Sequence, residues 1–264
     1  MSDQTPALRS PLPFADNIVE VGTDQPFRWL AAGWRDFRAA RLVSLAYGLI
    51  FVAAGLLLTL GLVTLDLIYL IAPLTVGFLL VGPALTVGFY AISRDLESGL
   101  PPTLAAARSA WRRNPAPLMS LGLMQVLFLV VWMRFAAMIF AVSFPSTTLN
   151  VQALLNAALF TQDGLIFLAV GTAVGAVMAT IAFAFGAFSL PLLLDRRIGV
   201  LEAVVTSAVA VIINARAMAV WAGLVALFTG AGLAAGYIGL AITLPLIGHA
   251  TWHAYRAVIR RPTD

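Results

Sequence analysis

The chain has 264 residues, 61% of them hydrophobic and only 11% charged, against roughly half and a quarter in soluble domains. Sixteen basic and twelve acidic residues cannot cover a water-soluble globule of 28.0 kDa, so the composition excludes an ordinary soluble domain and makes a lipid bilayer the solvent. With no cysteine, disulfide scaffolds, Cys-ligated zinc and iron–sulfur clusters are also excluded.

A polar, proline-containing tail over residues 1–25 reads as disordered, with no apolar core ahead of a small-residue cleavage site, so no signal peptide is expected. A membrane domain over 26–256 and a short tail over 257–264 complete the layout. From Phe27, the apolar residues Phe27, Leu30, Trp34 and Phe37 recur every three or four positions beside Arg28, Arg35 and Arg38, the pattern of an amphipathic helix lying in the headgroup region. Between Arg41 and Arg94 the only charge is Asp66. A crossing needs about 20 apolar residues, so Asp66 divides this stretch into helices at 42–64 and 67–92.

A second surface helix opens at Pro101 and Pro102, carrying Leu104, Ala107 and Trp111 on one face and Arg108 and Arg112 on another. A third crossing follows at 118–140, then a loop from Phe144 to Asp163 with a short helix through Val151, Leu154, Leu155, Ala158 and Leu159. The uncharged stretch 164–194 reads as one long fourth crossing. A more apolar surface helix at 200–214 carries a thin polar strip of Glu202, Thr206 and Ser207. Residues 217–255 are too long for one crossing, and Gly230, Gly232 and Gly236 place a turn between a fifth and a sixth.

The expected fold is thus an all-α, polytopic membrane bundle of six transmembrane helices with cytoplasmic interfacial amphipathic helices. Fifteen of the sixteen arginines fall on one side and only Arg134 on the other, which places both termini in the cytoplasm by the positive-inside rule. The arginines mark the ends of apolar runs and not one basic domain, so a nucleic acid is not an expected partner. Each surface helix precedes a pair of crossings, the signature of a threefold repeat of helix plus hairpin. At an offset of 100, Asp95, Gly99 and Asn114 coincide with Asp195, Gly199 and Asn214.

Four stretches, Gly33-Trp34-Arg35-Asp36, Gly82-Pro83-Ala84-Leu85, the run Leu190 to Arg197 and Gly248-His249-Ala250-Thr251-Trp252-His253-Ala254-Tyr255-Arg256, resemble the bacterial membrane proteins grouped as domain of unknown function 2189. The resemblance implies a multi-pass protein of the bacterial inner membrane and transfers no catalytic residue.

The candidate sites are few. His249 and His253 stand at i and i+4 on one helix face, within reach of one metal ion. They are the only histidines, so a metal would need carboxylates or a second subunit, and one haem iron cannot take two rings from the same side. No cofactor is therefore expected, with haem or a metal at this pair as the alternative. Arg134 lies about 24 Å along the third crossing, with Asp66 or Asp163 as a possible ion partner, and Gln125 is a buried hydrogen-bonding candidate. Gly171, Gly175, Ala179, Ala182 and Gly186 form a small-residue stripe suited to packing within the bundle, against a membrane partner or in a homo-oligomer. Asp95, Asp195, Asn114 and Asn214 flank the surface helices as caps and local hydrogen bonders.

No glycine-rich phosphate loop followed by Lys, nucleophile elbow or metalloprotease helix is present. The functional expectation is a non-catalytic accessory or assembly subunit of a membrane complex. The alternatives are a transporter or channel for an apolar, lipid-like solute, or a haem- or metal-binding protein using His249 and His253.

Overall fold

The computed structural model describes residues 14–144 and 151–260, and within them it is helical with no strand. Helix α1 (Gln25–Ala39) turns at Ala40 into α2 (Arg41–Thr64). Asp66, at φ 58°, makes the hairpin. The return path is α3 (Ile71–Leu85) and α4 (Val87–Glu97). Next come α5 (Leu104–Ser109), a 3-10 turn, the long α6 (Pro115–Ser143) and the short α7 (Val151–Phe160). Helices α8 (Gln162–Gly186) and α9 (Ser189–Asp195) lead to α10 (Val200–Ile213), α11 (Ala215–Ala234) and α12 (Leu240–Val258).

Four stretches among the described residues are long and apolar enough to cross a membrane: Arg41–Thr64, Pro115–Ser143, Gln162–Asp195 and Ala215–Ala234. The other two predicted crossings take a different form. The helix expected over 67–92 is broken at Thr86, three residues beyond Pro83. Carbonyls freed there are taken locally: Tyr47 donates its hydroxyl to Leu85 O at 3.1 Å and Thr86 donates to Pro83 O at 2.9 Å. The sixth, α12, is continuous, but its second half carries the His–Trp–His segment and is sunk in protein.

The long helix expected over 164–194 is also interrupted, at Ala187–Phe188. Pro191 has no N–H for the carbonyl of Ala187, four residues back, so an unbroken helix is disfavoured there. Ser207 bridges the gap, donating to Ala184 O at 2.8 Å while accepting from Phe188 N at 3.1 Å. This accounts for Ser207 in the polar strip read on α10, where Thr206 is also buried and only Glu202 is exposed.

The core lies toward the arginine-rich end. From Leu244 to Tyr255 every residue of α12 is buried except the half-buried His253, and α4 from Val87 to Ser93 and α9 from Ser189 to Leu194 are buried throughout. These three segments pack together, with α1 and α2 laid along α12. Away from this core, α2, α6 and α8 carry exposed Leu57, Val142 and Leu165, each at least 60% accessible.

The side of α1 that packs on the protein shares only Phe37 with the apolar stripe read for the headgroup region. Trp29, Ala32, Gly33 and Phe37 face inward, Trp29 meeting Trp221 edge-on at 5.8 Å, whereas Phe27 and Trp34 are exposed. The cause is Gly33: a Cβ there would stand 2.6 Å from the backbone nitrogen of Ala250, so α1 approaches α12 as closely as backbones allow. A stripe that counts large apolar residues misses a face built around a glycine.

The packed body also extends beyond 26–256. Ile18 is buried and bridges Ile259, Val19 N donates to Val258 O at 2.8 Å, and Arg260 N donates to Asn17 O at 2.9 Å. Residues 1–13 of the tail, with Arg9, lie outside the described residues, as do residues 145–150 of the loop and Arg261.

Replacing Gly33 by Val should destabilise the protein by about 1–3 kcal/mol, the usual range for overpacking a closed site. Gly61→Ala, where nothing lies within 4 Å, should be close to neutral. Thermal unfolding in mild detergent distinguishes the two.

Candidate functional site

Two features concentrate the polar and the empty parts of the molecule: a hydrogen-bonded collar around α12 and an apolar crevice beside it. The collar begins with His249, fully buried, whose Nε2 lies 2.9 Å from Ser44 Oγ and whose Nδ1 lies 2.7 Å from Ser93 Oγ. Ser93 also hydrogen-bonds Asp36, and His253 Nε2 lies 2.8 Å from Asp36 Oδ2. An ionised carboxylate only accepts, so Ser93 donates to Asp36 and must accept from His249. In the neutral ring this places the proton on Nδ1 and leaves Nε2 to accept from Ser44.

Further round, Trp252 Nε1 donates to Glu97 at 3.0 Å and Arg256 donates to the other oxygen of Glu97 at 3.0 and 3.1 Å. Tyr255 donates to Asp195 at 2.7 Å. One end of α12 thus engages a carboxylate from α1, one from α4 and one from α9. Burial raises the Asp36 carboxyl's affinity for protons, but hydrogen bonds from His253 and Ser93 outweigh it and hold the group below its ordinary 3.8.

The two histidines share a helix end but have different hydrogen-bond partners. His249 turns to the two serines and His253 to Asp36, and among the described residues no cluster of three His, Asp or Glu side chains could hold a metal ion. Arg134 is exposed on α6 and forms no ion pair with Asp66 or Asp163 among the described residues. Both carboxylates are exposed, Asp66 in its hairpin and Asp163 in the first turn of α8. Gln125 is buried against Gly186, with its Oε1 unpaired.

Asn114 and Asn214 stand at helix N-caps without a side-chain cap bond, Asn214 donating locally to Ala210 O at 3.2 Å, and both also reach remote stretches of chain. Asn114 donates from Nδ2 toward Leu193 O, Arg196 O and Ile198 O at 3.3 Å, and Asn214 ties Val19 O and Val21 N at 3.1 and 2.8 Å. Each asparagine holds the start of a long helix to a remote stretch of chain. Asp95 pairs with Arg94 at 2.8 Å, while Asp195 serves the collar.

The crevice measures about 640 Å³. It lies among α3, α4, α8, α11 and α12, with Phe78, Pro83, Tyr90, Phe183, Trp221 and Ile247 in its wall. Three threonines of the wall, Thr86, Thr180 and Thr251, donate to carbonyls of their own helices at 2.8–2.9 Å, which turns their polarity away from the space. The small-residue stripe divides here. Gly175 packs on the ring of Trp132, Gly171 has nothing near it, and Ala179, Ala182 and Gly186 line the crevice. Both helix breaks open onto it, through Thr86 on one side and Ala187 on the other. Sequence reasoning missed the crevice because it comes from small residues on separate helices. The only signal was a stripe that packing explained equally well.

An all-helical body with long exposed apolar helices and a buried polar end is the architecture of an integral membrane protein. Residues 70–195 match the family model described as predicted integral membrane protein, DUF2189. That stretch includes Gly82–Leu85 and most of the Leu190–Arg197 run, while the Gly33 and His249 motifs lie outside it. No curated protein and no solved structure matches the chain.

Ser93→Ala should destabilise the protein more than Ser44→Ala, because it strands both the His249 donor and one lobe of Asp36, each stranded group costing about 1–3 kcal/mol. The Asp36 carboxyl is depressed, so its contribution to stability is complete above 3.8 and fades as pH falls through the lower folded value. Asp36→Asn should abolish that acid-limb loss in a pH series of unfolding midpoints.

Proposed function

We propose that the chain is a six-span membrane protein with both termini in the cytoplasm, and that its crevice receives a hydrocarbon chain from the surrounding lipid. The crevice carries this reading. Its wall is mostly apolar, three of its four threonine hydroxyls donate to nearby backbone carbonyls, and both broken helices open onto it. A ligand there gains from burying methylenes and finds few polar partners, which fits an acyl chain. Helices α8 and α11 both pack on α10 but hardly on each other, leaving a lateral way in. Broken helices beside a midplane cavity are also how many transporters build their sites. The geometry thus favours lipid binding or passage over the accessory role suggested by the missing chemistry alone.

The six spans follow from three units of surface helix plus hairpin: α1 with α2 and α3–α4, α5 with α6 and α8–α9, and α10 with α11 and α12. The last segments of the three units meet in the core, and Asn114 and Asn214, at the same position of two units, make the same kind of long-range tie. The exposed face of α1, with Phe27 and Trp34, is then available to the headgroup region.

Native mass spectrometry of protein released from mild detergent should find lipid retained by the wild type. Ala182→Phe with Ala222→Trp should reduce that retention by half or more with little change in unfolding temperature. Equal retention in both proteins would reject the crevice as the site, and a protein partner co-purifying without lipid would restore the accessory reading.

Because the chain lacks cysteine, topology can be tested directly. In intact cells, cysteines at Ala105 and Glu202, both exposed, should resist a membrane-impermeant maleimide, while a cysteine at Asp66 should react. Labelling of residues 105 and 202 from opposite sides would dismantle the six-span arrangement.

A further inference from the structure

A second cavity of about 500 Å³ sits at the arginine-rich end, away from the apolar crevice, where the loop after α4 faces the turn after α5. Its wall carries Arg94, Arg112 and Arg113, and its one acidic side chain is Asp95. Glu97 lies nearby, but its carboxylate is committed to Trp252 and Arg256. The cavity therefore gathers three guanidinium groups against one carboxylate, an excess of positive charge in an open hollow.

The wall is rigid. Gly99, at φ 71°, closes the end of α4 with Leu100 N bonded to Asp95 O at 2.8 Å and Gly99 N to Leu96 O at 3.0 Å. Across from it, Thr103 caps α5 by accepting from Ala106 N at 3.1 Å. Both serines of the wall have spent their protons on backbone: Ser98 donates to Arg94 O at 3.0 Å and Ser109 to Ala106 O at 3.1 Å. The free donors are therefore guanidinium N–H groups. Arg94 uses Nη2 on Asp95, whereas its Nη1 is buried with no hydrogen-bond partner. A buried, unpaired guanidinium nitrogen is costly unless an acceptor arrives.

The geometry points to a site for a phosphate group, held by Arg94 from within and by the exposed Arg112 and Arg113 from the rim. Planar guanidinium forks match phosphate oxygens in pairs, and a phosphate's several acceptor oxygens can serve three arginines at once. Leu100, in the same wall and 55% exposed, adds an apolar edge. At the cytoplasmic end of the spans this combination suits the phosphate of an anionic lipid headgroup. A small soluble phosphomonoester presents the same chemistry. The site stands apart from the hydrocarbon crevice, although Tyr90 and Arg94 place the two one helical turn apart on α4.

The test compares wild type with Arg112→Gln/Arg113→Gln and with Arg35→Gln/Arg38→Gln, a pair of exposed arginines on α1 outside the cavity. Binding of phosphatidylglycerol would be read in nanodiscs of phosphatidylcholine with graded phosphatidylglycerol, and binding of soluble glycerol 3-phosphate by calorimetry. Loss of about tenfold or more in affinity for either probe in the cavity variant, with the α1 variant within about twofold of wild type, supports the site. The probe that shows the loss identifies the source. Binding of neither probe, an unchanged cavity variant, or equal loss in both variants overturns it. Arg94→Gln should weaken the same probe without shifting lipid retention in the crevice, which keeps this result separable from the hydrocarbon reading.

Discussion

The structure depends on a helix end that is polar and buried at once. The second half of α12 carries two histidines, a tryptophan, a tyrosine and an arginine into or beside the packed core, where unpaired polar groups are penalised. Each is matched by a fixed partner on a different element: Ser44 on α2, Asp36 on α1, Ser93 and Glu97 on α4, and Asp195 on α9. Small residues between them, above all Gly248 against Phe89 and Ala250 against Gly33, let the neighbours come close enough to make those bonds. Specific polar pairing fixes the relative placement of elements that apolar contact alone would leave free to slide.

The same logic accounts for the interruptions in α3–α4 and α8–α9. A broken helix frees carbonyls from their helical partners, and here protein groups meet them: the Tyr47 and Thr86 hydroxyls at one break, Ser207 at the other. The breaks let the last turns of both helices swing into the core beside α12 while leaving space behind them. Collar and crevice are two results of one arrangement.

Much of this was legible in the sequence, and the failures are instructive. The extents of α2 and α6, the turn near Gly236 and the short α7 follow from charge gaps and glycine, because hydrocarbon length and backbone freedom act locally. The unusual Gly248–Arg256 motif drew attention for its composition, whereas the separate partners of His249 and His253 could not be read from their spacing. The asparagines read as caps also make long-range ties, because a side chain's partner is set by tertiary placement. The interruption near Pro191 has a local cause in the sequence, the proline's missing N–H. The crevice was invisible for a simpler reason: no periodicity reports the space between helices.

The bridge between Ile18 and Ile259 carries one more consequence. Because the two ends of the packed body lie side by side, the backbone is nearly a closed ring, and α12 touches α1 as if it preceded it. In such a ring the order of the units is a matter of where the chain was cut. A gene opened between α9 and α10 and joined across residues 17 and 260 would encode the same circuit of contacts, so circular permutants offer a route to learning which unit must enter the membrane first.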